Sequence, residues 1–193
     1  MRTVIITLVS LGFLYLISIP RPFSLREGNI DVIADKGATL SVSYDYSDSE
    51  IYDLNGTSQS MSEYLSCQDR EWILHFPDEL KEAENAFKNT FNTFSKTATI
   101  VSDELDAKYQ MQIKVDKFCY GKVGGGLTAD SKGWATGSVS VRDTTTGETI
   151  AVFDFNKVNA CPTGKDSRNP SKHRTRGYQI IAGYLARSFN NAK

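Results

Sequence analysis

The sequence predicts an α+β two-layer sandwich: one mainly antiparallel sheet of four or five strands, covered on one face by two helices. Two patterns and their order predict it. Apolar residues alternate with polar ones through Ala38–Tyr46 and Tyr109–Asp116, as in strands with one buried face. Apolar residues recur at helical spacing in Leu80–Phe94 and Tyr178–Phe189. The order is strand, helix, hairpin-linked strands, helix.

The N-terminus is set apart from this fold. Arg2 precedes Val4–Ile19 (VIITLVSLGFLYLISI), a run without charge that reads as an export signal or an N-terminal anchor. Its sixteen residues make roughly 24 Å of helix, against about 30 Å of bilayer hydrocarbon. Pro20 and Pro22 end that helix. The first cysteine is Cys67, so no lipid-attachment cysteine follows the signal. Residues 1–26 are therefore assigned to the leader, and 27–193 to a single domain large enough for one core. The expected location is the periplasm, either free or held to the membrane by an uncleaved leader.

Within the domain, Ala38, Leu40, Val42, Tyr44 and Tyr46 form the inward side of a first strand. A polar, irregular stretch follows through Ser60, with Asn55-Gly56 as a turn. Short helical pieces are expected in Met61–Cys67 and Arg70–His75, and a strong helix from Pro77 to Phe94, because proline is tolerated in a first turn. That helix carries the stripe Leu80, Ala83, Phe87, Phe91 and Phe94. A short β-rich run occupies Ala98–Val101. The alternation Tyr109, Met111, Ile113, Val115 then slips at Phe118, which predicts a bulge. Ala135–Val141 and Thr149–Phe155 flank the turn Asp143–Gly147. Tyr178, Ile181, Ala182, Leu185 and Phe189 mark the last helix.

The segment GKVGGGLTADSKGW, residues 121–134, carries Gly124, Gly126 and Ala129 at the spacing of a dinucleotide-binding turn. That turn works only where a strand feeds a helix whose N-terminal amides hold pyrophosphate. Here the following residues alternate as a strand, and Asp143 sits in a hairpin turn. The segment therefore reads as a hairpin connection, and no cofactor is expected.

Catalytic chemistry is sparsely represented. Asp45, Asp48, Glu50 and Asp53 cluster after the first strand, and paired acids are the equipment of glycosidases. Cys67 and His75 form a conceivable nucleophile and base. These residues define an alternative, a small exported hydrolase. Acids on a polar loop more often serve solvation, and a separation of eight positions from Cys67 to His75 gives no reason for contact. No metal motif is present among the three cysteines and two histidines. One disulfide is possible, Cys119–Cys161, because both lie near the ends of neighbouring predicted strands.

The chain has a net charge of −1; without Arg2 and Arg21 the 20 remaining Lys and Arg oppose 23 Asp and Glu, giving −3. Such a balance supplies no long-range field for nucleic acid. The exception is local. Lys165, Arg168, Lys172, Arg174 and Arg176, with His173 among them and Asp166 the one acid, crowd a loop before the last helix and sum to +4 in fixed charges. Cations at a helix N-terminus oppose its dipole, and a bound anion would relieve them: a lipid phosphate, an acidic glycan or a partner's carboxylates.

Leu40-Ser-Val-Ser-Tyr-Asp-Tyr-Ser47, Tyr109–Val115 with Phe118, the Gly-rich tip, the run Gly137–Ala151 and a final helix after a basic segment resemble a family of uncharacterised small exported α+β proteins of Gram-negative anaerobes. The likeness spans about Ala38–Phe189. It implies an envelope domain and carries over no site residues, since the family has no established activity. The family's glycine-rich segment before the last helix is here the polar Thr163–Arg176. The function expected is that of a non-catalytic binding or envelope-accessory domain, with an envelope protein, anionic lipid or glycan as partner. Such a domain would carry no buried titratable cluster and would show an exposed surface patch.

Overall fold

The computed structural model describes residues 22–33, 37–52, 56–67, 70–102, 106–119, 134–159 and 170–192. The strands are β1 (Phe23–Gly28), β2 (Ala38–Asp45), β3 (Glu50–Tyr52), β4 (Ser58–Ser60), β5 (Ala98–Ile100), β6 (Tyr109–Cys119), β7 (Trp134–Asp143) and β8 (Thr149–Asn159). The helices are α1 (Met61–Ser66), α2 (Arg70–Phe94) and α3 (Pro170–Asn191), and a 3-10 turn covers Ile30–Ile33. No helix among the described residues is long and apolar enough to cross a membrane. The apolar run Val4–Ile19, expected to be a leader, lies outside the described residues.

The expected sheet of four or five antiparallel strands is wrong in size and in direction. All eight strands join one mixed sheet in the order β1-β8-β7-β6-β2-β5, with β3 pairing both β6 and β4. The described residues also hold three helices, not two. Parallel pairing arises because the chain leaves β2, crosses through α2 and returns as β5 beside β2 in the same direction. β6 then runs parallel to β2 on its other side, Leu40 opposite Tyr109 through Asp45 opposite Lys114. The antiparallel part is the ribbon β6-β7-β8-β1.

The strand β1 begins inside the stretch assigned to the leader. Phe23 fixes it: its ring stacks on Phe153 of β8 at 5.4 Å and on Tyr184 of α3 at 5.5 Å. The polar stretch after β2 also holds structure, since β3 extends the edge that β2 begins, pairing Glu50–Tyr52 with Lys117–Cys119.

One face of the sheet is apolar and lies under the helices. Met111, Ile113, Val139, Val141, Ala151, Phe153 and Phe155 are buried there against Ala83, Phe87, Phe91, Ile181, Leu185 and Phe189. Burial of each large side chain stabilises by about 1.5–3 kcal/mol. Phe94 leaves the expected stripe: it is 58% exposed, because α2 ends there beyond the edge of the core. The helices α2 and α3 run side by side in the same direction. Phe91 meets Phe189 edge to face at 5.4 Å, and Asn190 Nδ2 donates to the Phe94 carbonyl at 2.8 Å.

Pro77 does not start a helix but lies inside α2, which is continuous from Arg70. Its missing N–H costs one helical bond, and its exposed position lets water take the freed carbonyl. The predicted bulge is present: the β6–β7 register shifts between Val115 and Lys117. The turn Asp143–Gly147 forms as expected, with Asp143 Oδ1 accepting from the Thr145 N–H at 2.7 Å and the Thr146 N–H at 3.1 Å.

The Gly-rich segment joins antiparallel neighbours, with Cys119 opposite Trp134, and the element after it is β7. Among the described residues no helix follows it to hold pyrophosphate. Residues 120–133 themselves lie outside the described residues.

Candidate functional site

The other face of the sheet is polar. Ser43, Gln112 and Ser140 form one row, and Asp45, Lys114, Ser138 and Asp154 the next. Of the acids expected to do chemistry, Asp45, Asp48 and Glu50 are distributed along this face and its edge, each with its own partner. Asp45 accepts from Ser47 through both N–H and hydroxyl, which holds its carboxyl below the usual range. Asp48 pairs with Lys114 at 2.9 Å. Glu50 accepts from the Tyr52 hydroxyl at 2.8 Å. Asp53 lies outside the described residues. Cys67 caps the end of α1 and His75 sits on α2; both are exposed, and no hydrogen bond joins them among the described residues. No group of three metal-ligating side chains converges among the described residues.

The basic segment is only partly a loop. From Pro170 onward it is the first turns of α3. Lys172 reaches Glu82 and Arg174 pairs with Glu79, so two of the cations bind carboxylates of α2 rather than facing solvent unpaired. Arg174 is nearly buried, with 8% of its side chain exposed, and its guanidinium lies 5.4 Å from the Phe76 ring centre. Burial lowers its pKa to about 10. Arg176 is exposed and donates to Gln179 at 3.3 Å. Lys165 and Arg168 lie outside the described residues, and of His173 only the backbone is described.

Next to Arg174 is a buried titratable cluster that the sequence did not suggest. The Tyr46 hydroxyl bonds that of Tyr178 and donates to Glu84 Oε1 at 3.3 Å. Tyr44 donates to the Glu84 carbonyl at 3.2 Å. Burial raises the pKa of all three phenols, so they are neutral donors at physiological pH. Desolvation also raises Glu84. The cluster ties the end of β2 to both long helices.

A second group forms at the far end of the polar face, where β3, β6 and β7 run side by side. Tyr52, Cys119 and Trp134 are register partners and share a side of the sheet, while Ile51, Phe118 and Val158 beside them point into the core. Cys119 is small and buried, and the rings on either side lean together over it, 5.5 Å between centres at 45°. This is the position of one half of the expected disulfide; Cys161 lies outside the described residues. Lys117 Nζ lies 5.7 Å from the Tyr52 ring centre and 3.7 Å from Glu50. The Tyr52 hydroxyl and Glu50 raise the pKa of this ammonium, keeping it charged. Lys157 Nζ stands 5.5 Å from the Trp134 ring centre.

Lys157 reaches Trp134 from a bulge. It has φ of 46°, the single non-glycine residue with positive φ among the described residues, and its N–H bonds Thr136 Oγ1 at 3.0 Å. The signal for it was in the sequence: core residues Phe155 and Val158 are three apart where an unbroken strand would space them by two.

No family model matches the chain, and no curated protein matches its sequence. Among solved structures it is similar to a PelC dodecamer subunit from Paraburkholderia phytofirmans at 13% identity and a TM-score of 0.42, over 83% of this chain and 96% of that one. It is also similar to protein XCC0632 of Xanthomonas campestris, of the uncharacterised DUF330 family, at 11% identity and a TM-score of 0.41, over 84% and 89%. Likenesses at these scores fix neither the fold nor an activity.

Proposed function

We propose that this chain is a non-catalytic binding domain of the cell envelope, exported by its apolar N-terminal segment. It acts in the periplasm or at the membrane surface. The observation that carries the reading is the division of labour between the sheet faces. The buried and half-buried ionisable groups, Tyr178 with Tyr44, Tyr46, Glu84 and Arg174, hold β2, α2 and α3 together. The second face carries polar and aromatic side chains. A binding domain was expected to have no buried titratable cluster, and this one has; its neutral phenols make it a structural network rather than a reactive one. The hydrolase alternative draws no support from Asp45, Asp48 and Glu50, which bind separate partners. In the basic segment, Arg176 is the exposed described cation that would meet an anionic lipid or glycan.

Fractionation of cells expressing the C-terminally tagged full chain tests the location. The protein is expected in the envelope fraction, and in the cytoplasm after deletion of residues 4–19. Cytoplasmic full-length protein would overturn the envelope assignment. Vesicles carrying anionic lipid test the basic segment, with Arg176→Ala as the variant because Arg174 is part of the packed interior.

A further inference from the structure

We propose that the Tyr52–Trp134 platform, with Lys117, Lys157 and Glu50, is a binding site for a carboxylated sugar of an acidic glycan. The assignment rests on the reading of the chain as a binding domain and names the ligand class.

Backbone strain is the first observation. A lysine in the left-handed region is disfavoured, and the bulge at 157 would accept glycine or asparagine with less cost. Strained non-glycine residues cluster where a side chain must be aimed for function. Here the strain places an ammonium beside a partly exposed indole. A cation–π contact at such a surface is weak and does not exceed the strain it accompanies, so packing alone gives little net reason for lysine.

Chemical complementarity is the second. An aromatic platform accepts the apolar C–H face of a pyranose ring. Two ammonium groups at its borders fit a carboxylate: Lys157, and Lys117, which is 47% exposed and stands between Glu50 and the Tyr52 ring. Glu50, also 47% exposed, accepts hydrogen bonds from sugar hydroxyls. Single-stranded nucleic acid also uses aromatic platforms and cations, so an oligonucleotide is one arm of the test.

The test is calorimetric titration of the full chain, in detergent if the leader is retained, with tetragalacturonate, a neutral maltotetraose and a short oligothymidylate. Saturable binding of tetragalacturonate is expected, with the other two weaker by about tenfold or more. Lys157→Gly and Trp134→Ala should each weaken it by roughly tenfold, one lost interaction of ordinary strength. Lys157→Gly should melt no lower than the parent, which separates loss of binding from loss of fold. Absence of tetragalacturonate binding, equal binding by the maltotetraose, tighter binding of the oligothymidylate, or undiminished binding by both variants would each overturn the site. A protein found in the envelope that fails these titrations loses the ligand and keeps the domain reading. A protein that passes them but fractionates with the cytoplasm does the reverse.

Discussion

Tyr46, just past the end of β2, and Tyr178 of α3 share a hydrogen bond between their hydroxyls. Tyr46 also donates to Glu84 of α2, so its single proton is committed there and Tyr178 is the donor to Tyr46. The resulting chain runs Tyr178 to Tyr46 to Glu84 and links three elements far apart in sequence. Tyr46→Phe removes the centre of the chain and strips the buried Tyr178 hydroxyl of its acceptor, a cost of about 2 kcal/mol. Tyr178→Phe removes only the first link and should cost about 1 kcal/mol. Urea unfolding of the two variants checks the order; a larger loss for Tyr178→Phe would reverse the donor assignment.

The same cluster sets the alkaline limit of stability. Tyr44, Tyr46 and Tyr178 have folded pKa values raised above the ordinary 10.0. Their contribution is complete below that value. Above it the unfolded chain releases phenolic protons that the folded chain retains, and stability falls. Arg174 works in the opposite sense, since burial lowers its pKa from the ordinary guanidinium value to about 10. Between those values the unfolded chain holds a proton that the folded one sheds, so this group alone would raise stability with pH. Three phenols outweigh one guanidinium. The urea midpoint is expected to stay level from about pH 7 to 9 and to decline above about pH 10, less steeply in Tyr46→Phe. A midpoint that rises above pH 10 would show that Arg174 dominates.

The ion pairs Arg174–Glu79 and Lys172–Glu82 join the same two helices but differ in surroundings. The Lys172 and Glu82 side chains are 37% and 47% exposed, so water and salt screen them, and Lys172→Ala should cost less than about 1 kcal/mol. Arg174 is largely enclosed, and Arg174→Ala strands Glu79 beside a cavity over Phe76. A loss of about 3 kcal/mol is expected. Thermal melts of the two variants in low and high salt check this: salt should narrow the Lys172 effect and leave the Arg174 effect nearly unchanged.

Strand positions were readable where one face is buried and the other wet. Met111, Ile113, Val139 and Val141 are fully buried at the alternate positions that their periodicity marks. Direction was not readable from periodicity, because parallel and antiparallel strands alternate alike. The information lay in the connections: strand, long helix, strand is a crossover, and it puts β5 parallel to β2. The strand β1 was hidden by the apolar N-terminal run beside it and by its own composition, since Phe23 is the residue that anchors it. The tyrosine cluster was invisible for a different reason. Tyr44 and Tyr46 read as inward strand residues, but their hydroxyl partners come from helices about 40 and 130 residues away. The Tyr52–Trp134 platform likewise needs a register, Tyr52 to Cys119 to Trp134, that crosses parallel and antiparallel pairings.

Gly137 and Gly183 offer opposite outcomes for the same substitution. Gly137 lies in β7 between β6 and β8, and a Cβ there would stand 2.1 Å from the Lys114 carbonyl oxygen and 2.6 Å from the Phe155 ring. The ring can move, but the carbonyl belongs to the β6 backbone in mid-sheet. Gly137→Ala must therefore open the sheet locally, at a cost of at least about 2 kcal/mol, or roughly 5 °C or more in Tm. Gly183 sits inside α3 with nothing within 4 Å of the added methyl. Alanine there loses less backbone entropy on folding and should stabilise by about 0.5–1 kcal/mol. Calorimetric melting of both variants decides the matter. A Gly137→Ala protein as stable as the parent would mean that β6 and β7 are farther apart at this position than described, and a destabilised Gly183→Ala would mean that α3 is covered there by another segment of the chain.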